Sequence, residues 1–356
     1  MKTYTKFLIY NFFKSFFLVF LITFCLIFIL NLLTELDFFK QINVTNSFTM
    51  YLSLINTPSF IFEMFPFIFL ISSQVFLINI FEHNQIEIFR YFGLKNIDIL
   101  KIICFCSFLV GIAIVLIFYN FSSSLKKIYL ELKSNYTSDN KYLAVITNNG
   151  LWIKDKIDNK ILIINSLEIE NNYLLNSFIT EFDDNYKILR NIQSEKIDIE
   201  YNTWKIHNAK VIIDNFTTEE KVLELKSNFD YQKIQTLFSN LTSLSIFELF
   251  ELKKNYEQLG YSTIEVDMHL NKLVVAPFHF ILMIFFSGTI MFYFKSKKNN
   301  TFKLSLGLFM SVLIYYYNNF FYVLGNTEKI SIIQSVWMPL IFLFCINQLM
   351  LKLIKS

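Results

Sequence analysis

Glycine and proline are scarce, with 7 and 4 among 356 residues. That excludes collagen-like chains and Gly-rich linkers. None of the Gly residues is followed by Lys, so the chain has no Walker A loop with which to cradle ATP phosphates. The four Cys (Cys25, Cys104, Cys106, Cys345) all lie in strongly apolar runs. The polar middle of the chain must therefore fold without disulfides. No Cys-x-x-Cys and no Gly-x-Ser-x-Gly is present. The four His (His83, His207, His269, His279) are scattered, and His269 and His279 do not share a helix face as an i, i+4 pair would. One solvated and a few interfacial His are expected, with no metal, no cofactor and no acid–base site. Charged residues make up 17% of the chain, and a net charge of +3 singles out no partner. A nucleic-acid partner is not expected.

Apolar residues, by contrast, make up more than half of the chain, 43 of them Phe, and the mean hydropathy is +0.43. Six stretches are long enough to span a hydrocarbon core of about 30 Å, which takes ~20 helical residues. They are Ser15–Leu33, Pro58–Phe81, Ile102–Phe121, Leu273–Phe294, Phe302–Leu324 and Ile332–Leu351. The first is too long for a signal-peptide core. Thr34-Glu35-Leu36-Asp37 follows it in place of a small-x-small cleavage site, so it reads as a retained span.

Short segments set the orientation. Lys2, Lys6, Lys14, Arg90, Lys95, Lys101, Lys295, Lys297, Lys298, Lys303, Lys352 and Lys355 fall on one side; the opposite short loops hold only Lys40 and Lys329. The positive-inside rule puts both termini in the cytoplasm and the polar insert between spans 3 and 4 outside.

That insert, about Asn135 to Asn240, reads as an all-β sandwich or barrel. Strands are expected at Tyr142–Thr147, Leu151–Lys154, Ile161–Asn165, Phe178–Phe182, Lys187–Leu189, Ile197–Tyr201 and Lys210–Ile213. Asn148-Asn149-Gly150, Asp158-Asn159, Asn171-Asn172 and Asp183-Asp184-Asn185 supply turns. Leu244–Leu259 then reads as an amphipathic helix, with Leu244, Phe247, Phe250 or Leu252, Tyr256 and Leu259 on one side and Gly260 as its stop. The expected division is 1–134 for three spans, 135–243 for the β domain, and 244–356 for the linker helix and three further spans.

Ionisable residues are nearly absent from the spans; only Glu63 lies inside one, near its outer end. An ion-coupled carrier usually keeps such groups at mid-membrane, so that class is disfavoured. Pro66, one turn on, is expected to kink span 2. The stretch Phe81–Ile99 can form a short helix between two spans. Glu87, Arg90 and Tyr91 would share one side, and Ile86, Phe89 and Gly93 another. Such a helix either lies flat on the bilayer or offers a surface to a soluble motor.

Gln85-Ile86-Glu87-Ile88-Phe89-Arg90-Tyr91-Phe92-Gly93-Leu94 resembles the Glu-Leu-x-x-Met-Arg-Ala-x-Gly-Leu segment of the lipopolysaccharide-export permeases, the LptF/LptG family. Pro58…Glu63-Met64-Phe65-Pro66 resembles that family's span 2 opening. Gly150-Leu151-Trp152-Ile153-Lys154-Asp155 is similar to the Gly-x-Trp-x-Arg-Asp of its LptG branch. The run from Leu244-Ser245 through Glu248-Leu249, Gly260 and Lys272 to Pro277, and Trp337-Met338-Pro339, also match in order. The family's acidic residue five before the Arg is Gln85 here.

The resemblance, closest to LptG, implies a six-span α-helical membrane bundle with a periplasmic jellyroll-like β domain between spans 3 and 4. It implies a non-catalytic subunit of an ABC transporter in the bacterial inner membrane. Its partners would be an LptF-like permease paralogue, an LptB-like ATPase dimer, LptC-like and LptA-like bridge proteins, and lipopolysaccharide itself. Gln85, Glu87, Arg90 and Gly93 would form the ATPase-coupling helix. Lys40, Lys126, Lys127 and Lys272, near the outer interface, are candidates for charge-assisted bonds to lipid phosphate. Other readings are the LptF paralogue, or a non-transport envelope scaffold that displays a β domain. The transport reading is physically coherent. Exposing a ~12-carbon acyl chain to water costs roughly 10 kcal/mol at ~0.8 per CH₂, so extraction needs a motor on another chain and an apolar, partly open path on this one.

Overall fold

The computed structural model describes residues 3–42, 44–136, 151–157, 160–170, 172–213, 216–231, 234, 240–259, 261–294 and 299–355. The helices are α1 (Thr3–Phe38), α2 (Asn46–Glu82), α3 (Gln85–Tyr91), α4 (Asn96–Ala113), α5 (Tyr119–Ser134), α6 (Ile246–Leu259), α7 (Ile264–Tyr293), α8 (Asn300–Asn326) and α9 (Ile332–Lys355). A π turn, Ile114–Phe118, joins α4 to α5. The strands are β1 (Leu151–Ile157), β2 (Lys160–Glu170), β3 (Tyr173–Phe182), β4 (Ile188–Asp198), β5 (Thr203–Ile213) and β6 (Phe216–Lys226). Two compact units result: Met1–Lys126 with Ile264–Ser356, and Lys127–Thr263.

The first unit is helical. Five of its helices are long and apolar enough to cross a membrane: α1, α2, the continuous run Asn96–Ser134, α7 and most of α9. The expected fifth span, Phe302–Leu324, is helical within α8. Tyr315–Tyr317, Asn318 and Asn319 dilute its hydropathy, and it falls short of the same measure. α2 begins at Asn46, well before the expected start at Pro58. Its added turns carry Ser and Thr, and Thr49, Ser53 and Thr57 are buried there with their hydroxyl needs met inside the helix: Ser53 Oγ donates to Thr49 O at 2.8 Å, and Thr57 Oγ1 to Ser53 O at 2.7 Å.

The apolar core of this unit runs along α2. Ile61, Phe65, Ile68, Phe69, Phe76 and Ile80 are buried against α1, α4 and α7. The Phe69 and Phe280 rings stack at 4.9 Å. Two glycines set the α4–α7 approach. A Cβ on Gly111 would lie 3.1 Å from the Pro277 backbone, and one on Gly288 would lie 2.3 Å from Leu100 Cδ2. A second cluster, Leu70, Met283, Phe286, Ile290 and Leu343, ties α2 and α7 to α9. The other faces of α1, α8 and α9 expose rows of Leu, Ile and Phe, as helices in contact with lipid do.

In the second unit, the six strands form one antiparallel sheet in sequence order β1-β2-β3-β4-β5-β6. Hydrophobic alternation gives it one buried face. Ile153, Ile164, Ile179, Ile192 and Val211 lie on one half of that face, and Leu174, Ile197, Ile206 and Leu225 on the other. A seam divides the halves. Leu167, Asn176, Glu195, Asn208 and Lys221 lie opposite one another across the sheet; each is exposed, and each sits beside a neighbour (Glu168, Leu175, Lys196, His207, Val222) that is not buried. β3, β4 and β5 therefore each carry two successive residues off the buried face at this row, and their alternation shifts phase there while the pairing register holds, whereas β6 is exposed throughout this stretch. In β3 and β5 the shift coincides with a left-handed residue, Asn176 (φ 49) and Asn208 (φ 48), a conformation that Asn tolerates better than most residues. Ser166, Ser177 and Ser194 line the buried side of the seam. Their hydroxyls bond one another or nearby carbonyls, as in Ser177 Oγ to Ser166 Oγ at 3.0 Å and Ser194 Oγ to His207 O at 2.6 Å.

The sheet is rolled. β1 and β6 are its opposite edges, about 24 Å apart were it flat at ~4.8 Å per strand. Yet Ser227, the residue after β6, donates its hydroxyl to Asp155 of β1 at 2.9 Å. The row through Lys154 passes Ile163, Thr180, Asn191 and Ile212 to Thr217, far along β6 from Ser227. Such a stagger is what tilted strands produce when a sheet closes on itself.

Several strand expectations change. Lys187–Leu189 and Ile197–Tyr201, read as two strands, overlap the two ends of one, β4, and Ile199–Tyr201 lies beyond it. Lys210–Ile213 is only the end of β5, and β6 had no counterpart in the sequence reading. The expected strand Tyr142–Thr147 and the turn Asn148-Asn149-Gly150 lie outside the described residues. α6 starts with a capping box, Ser245 N to Glu248 Oε2 at 2.7 Å and Glu248 N to Ser245 Oγ at 3.3 Å. Of the two alternatives on its expected side it buries Leu252 and exposes Phe250; Leu249 is buried too, whereas Phe247, expected on that side, is exposed.

Candidate functional site

The helix α3 is the most distinctive local feature of the helical unit. Asn84, at φ 53, turns the chain out of α2. At its far end Gly93 N bonds Arg90 O at 2.9 Å and Leu94 N bonds Phe89 O at 3.0 Å. Gly93 holds φ +78 with open space around its Cα, so Gly is needed there for backbone conformation and not for packing. Ile86 and Phe89 point inward and join the core, where the Phe89 ring meets Phe7 of α1 at 6.2 Å. Gln85 is half-buried in the first turn. Glu87 and Arg90 are exposed, and Arg90 Nη2 reaches Asn96 Oδ1 at 3.4 Å. Tyr91 is 91% exposed, and Ile88 and Phe92 are exposed with it. A seven-residue helix that is polar and aromatic on its outer face is thus held by two apolar side chains.

The joint beside α3 is braced against α8. Glu82 Oε1, at the end of α2, accepts from Asn300 Nδ2 at 2.8 Å. One turn or two earlier, the fully buried Gln74 donates to Lys303 O at 3.0 Å. A Cβ on Gly307 would lie 2.2 Å from Gln74 Nε2, so α8 crosses α2 at closest approach there.

The four candidate lysines do not share a partner. Lys40 is exposed in a short 3₁₀ turn after α1. Lys126 Nζ bonds Asn56 Oδ1 at 2.7 Å and lies 5.3 Å from the Phe60 ring centre. Lys127 pairs with Glu248 of α6 at 3.7 Å. Burial pushes the Glu248 carboxyl up, but the Ser245 hydrogen bonds and Lys127 outweigh it and hold the group below the usual range. Lys272 is exposed, 5.8 Å from the Tyr322 ring centre.

Some polar contacts inside the helical unit were not legible from spacing. Glu35 is 1% exposed within α1, past the point where hydropathy ends the first span. Asn31, one turn before it, donates to Thr57 at 3.2 Å. His269, expected at an interface, is buried and hydrogen-bonded to Tyr119 at 2.8 Å, and His279 meets Asn318 at 3.2 Å. Each pair joins residues far apart in sequence, so no local pattern announces it. Ser73 and Ser287 are likewise hydrogen-bonded between α2 and α7. Among the described residues, no group of three His, Cys, Asp or Glu is arranged to hold a metal ion.

In the β unit, the Asp of the Gly-x-Trp-x-Lys-Asp motif has a definite place. Asp155 is fully buried and accepts from Ser227 Oγ (2.9 Å), Asn228 N (2.9 Å) and Asn228 Nδ2 (2.8 Å). Trp152 of the same motif is exposed. The outer edge of β1 is capped by Tyr261, whose hydroxyl accepts from Lys154 N at 2.9 Å and donates to Trp152 O at 3.3 Å. The inward-facing side chains fill the interior; Ile164, Ile179, Ile192, Ile206 and Trp204 have no accessible surface. The partly open interior expected for an acyl path is not what the described residues form.

No curated protein gives a match to the chain. A family model, described as the lipopolysaccharide export system permease LptF/LptG, matches residues 6–352. That match takes in both the helical bundle and the inserted sheet, and the chain belongs to the LptF/LptG family of lipopolysaccharide export permeases.

Proposed function

We propose that this chain is the LptG-like permease subunit of an ATP-driven lipopolysaccharide exporter. In this reading residues 1–134 carry three inner-membrane spans and residues 244–356 an amphipathic linker helix and three more, both termini are cytoplasmic, and residues 135–243 belong to a periplasmic jellyroll-like domain. An LptF-like paralogue completes the membrane part, and an LptB-like ATPase dimer drives it. Lipid passes on to LptC-like and LptA-like bridge proteins. The chain itself performs no bond chemistry.

The observation that carries the reading is α3. A short helix at the joint of two membrane-length helices turns Glu87, Arg90 and Tyr91 outward while Ile86 and Phe89 anchor it. Exposed aromatic and Arg side chains on a rigid base are what interface hot spots are made of, and this chain lacks an ATP-binding loop of its own. Lys126, with its ammonium between Asn56 and Phe60, and Lys40, Lys127 and Lys272 are the candidates to meet lipid phosphates.

The test is purification of the tagged chain with its native partners. Copurification of an ATPase and a second permease, and ATP hydrolysis stimulated several-fold by lipopolysaccharide, are expected. Arg90→Glu should abolish the stimulation and leave the fold intact. Hydrolysis indifferent to lipid, or an Arg90→Glu variant with full stimulation, would refute the reading in favour of a scaffold.

A further inference from the structure

The filled interior of the β unit raises a physical problem for any lipid path, because an acyl chain can enter only where some cover leaves. The cover that the structure identifies is the segment Ser227–Tyr231, directly after β6. Its first residue still bonds along the β5 side, Ser227 N to Asn202 O at 2.7 Å, and the residues after it leave the ladder. Asp155 of β1 takes three hydrogen bonds from Ser227 and Asn228. Trp204 of β5 donates its indole N–H to Phe229 O at 2.7 Å, and Tyr231 N bonds Ile199 O at 2.8 Å. Phe229 is buried. The segment therefore spans from the first strand to the fifth, across the mouth of the rolled sheet. Most of its bonds are to side chains, and Phe229 is its buried apolar anchor.

Resting on the permease reading above, we propose that Ser227–Tyr231 is a strap that closes the interior of the β unit, with Asp155 as its catch. Acyl chains enter beneath it when it lifts. The catch favours closure strongly. With the strap gone, a buried carboxylate loses all three of these donors, which is unfavourable until water reaches it. Lifting the strap and wetting Asp155 are thus one event. The same carboxylate selects what enters, because it repels phosphate and leaves only the apolar end of an amphiphile acceptable at that mouth.

The experiment uses the full chain in its complex, in nanodiscs, with lipopolysaccharide as the probe. Asp155→Cys and Asn228→Cys together allow the strap to be sealed, since Asp155 Oδ2 lies 2.9 Å from Asn228 N. A photoreactive residue replaces Ile206 inside the roll. Oxidation should lower lipid crosslinking at that site at least tenfold and dithiothreitol should restore it. Equal crosslinking in the sealed and reduced states overturns the strap, as does lipid-stimulated hydrolysis with no crosslinking in either state. Absence of both lipid stimulation and crosslinking refutes the permease reading itself. Hydrogen exchange on Asp155→Ala serves as the second measurement, because it leaves the core side chains in place. Exchange at residues 228–231 should rise at least tenfold while Ile179 and Ile192 stay protected. A uniform rise across the sheet overturns the strap as a separable element.

Discussion

The contact between Gly307 and Gln74 offers a stringent test of how the helical unit is assembled. In Gly307→Ala the new Cβ would lie 2.2 Å from Nε2, 2.4 Å from Oε1 and 2.5 Å from Cδ of Gln74. Gln74 cannot swing into solvent, since it is fully buried and its amide donates to Lys303 O. Overpacking of this kind costs about 1–3 kcal/mol, and the displaced hydrogen bond adds roughly 1 kcal/mol. Gln74→Ala removes the same bond but also removes Oε1, a buried acceptor with no partner among the described residues. It leaves a cavity worth about 1–2 kcal/mol. In the double variant the methyl introduced by Gly307→Ala occupies space that Gln74 vacates, so its stability should match that of Gln74→Ala alone. A coupling of about 2–4 kcal/mol between the two positions follows, equal to the whole cost of Gly307→Ala. Thermal unfolding of the detergent-solubilised chain measures it. Gly307→Ala should lower the midpoint by on the order of 5 °C, and adding Gln74→Ala should raise it again. Strict additivity of the two losses would show that α2 and α8 do not meet at this point.

Three further outcomes are expected. Phe89→Ala removes the ring that seats α3 beside Phe7 and should cost about 3 kcal/mol, whereas the fully displayed Tyr91 can become Ala with unchanged stability but weaker retention of the ATPase on a tagged column. Glu181 is 3% exposed at its side chain, between Lys160 at 2.7 Å and Arg190. Burial raises its carboxyl, yet the two cations together hold it below the ordinary value. Its contribution is therefore complete above the unfolded carboxylate range and is lost as pH falls through the lower folded value; protease resistance of the β unit should show this loss below about pH 4, and Arg190→Gln, which leaves the buried charge with one partner, should cost about 2–3 kcal/mol and move the loss to higher pH. Tyr261→Phe frees Lys154 N and Trp152 O at the β1 edge, so amide exchange at Lys154 should quicken by roughly tenfold, equivalent to about 1.4 kcal/mol, with β3 and β4 unaffected.

How far the sequence discloses this architecture depends on the element. The long apolar runs mark the membrane helices because lipid demands uninterrupted hydropathy, and α3 is legible because Ile86 and Phe89 recur at helical spacing between Asn84 and Gly93. The strands are harder. β4 reads as two fragments because Ile192 and Ser194 keep one phase while Ile197 and Ile199 keep the other; a period-2 search stops at the shift. β5 suffers likewise, with Trp204 and Ile206 on one side of Asn208 and Ala209 and Val211 on the other. β6 is exposed over nearly its whole length and carries no alternation to find. The α6 stripe misleads because Phe247 and Phe250 look like core residues to any hydrophobicity count. Which partner each lysine takes, and that Asp155 binds across the roll, are tertiary facts with no local signature.

The shared row of doubled outward residues constrains how such a chain can change in length. Deleting Glu195 alone would turn Ile197 and Ile199 to the water side, or else tear β4 from both neighbours. Deleting its counterparts Leu167, Asn176, Asn208 and Lys221 in the same variant would restore agreement and remove the corner from every strand at once. Shortening within this sheet is therefore concerted, and a relative that lacks one of these residues is expected to lack them all.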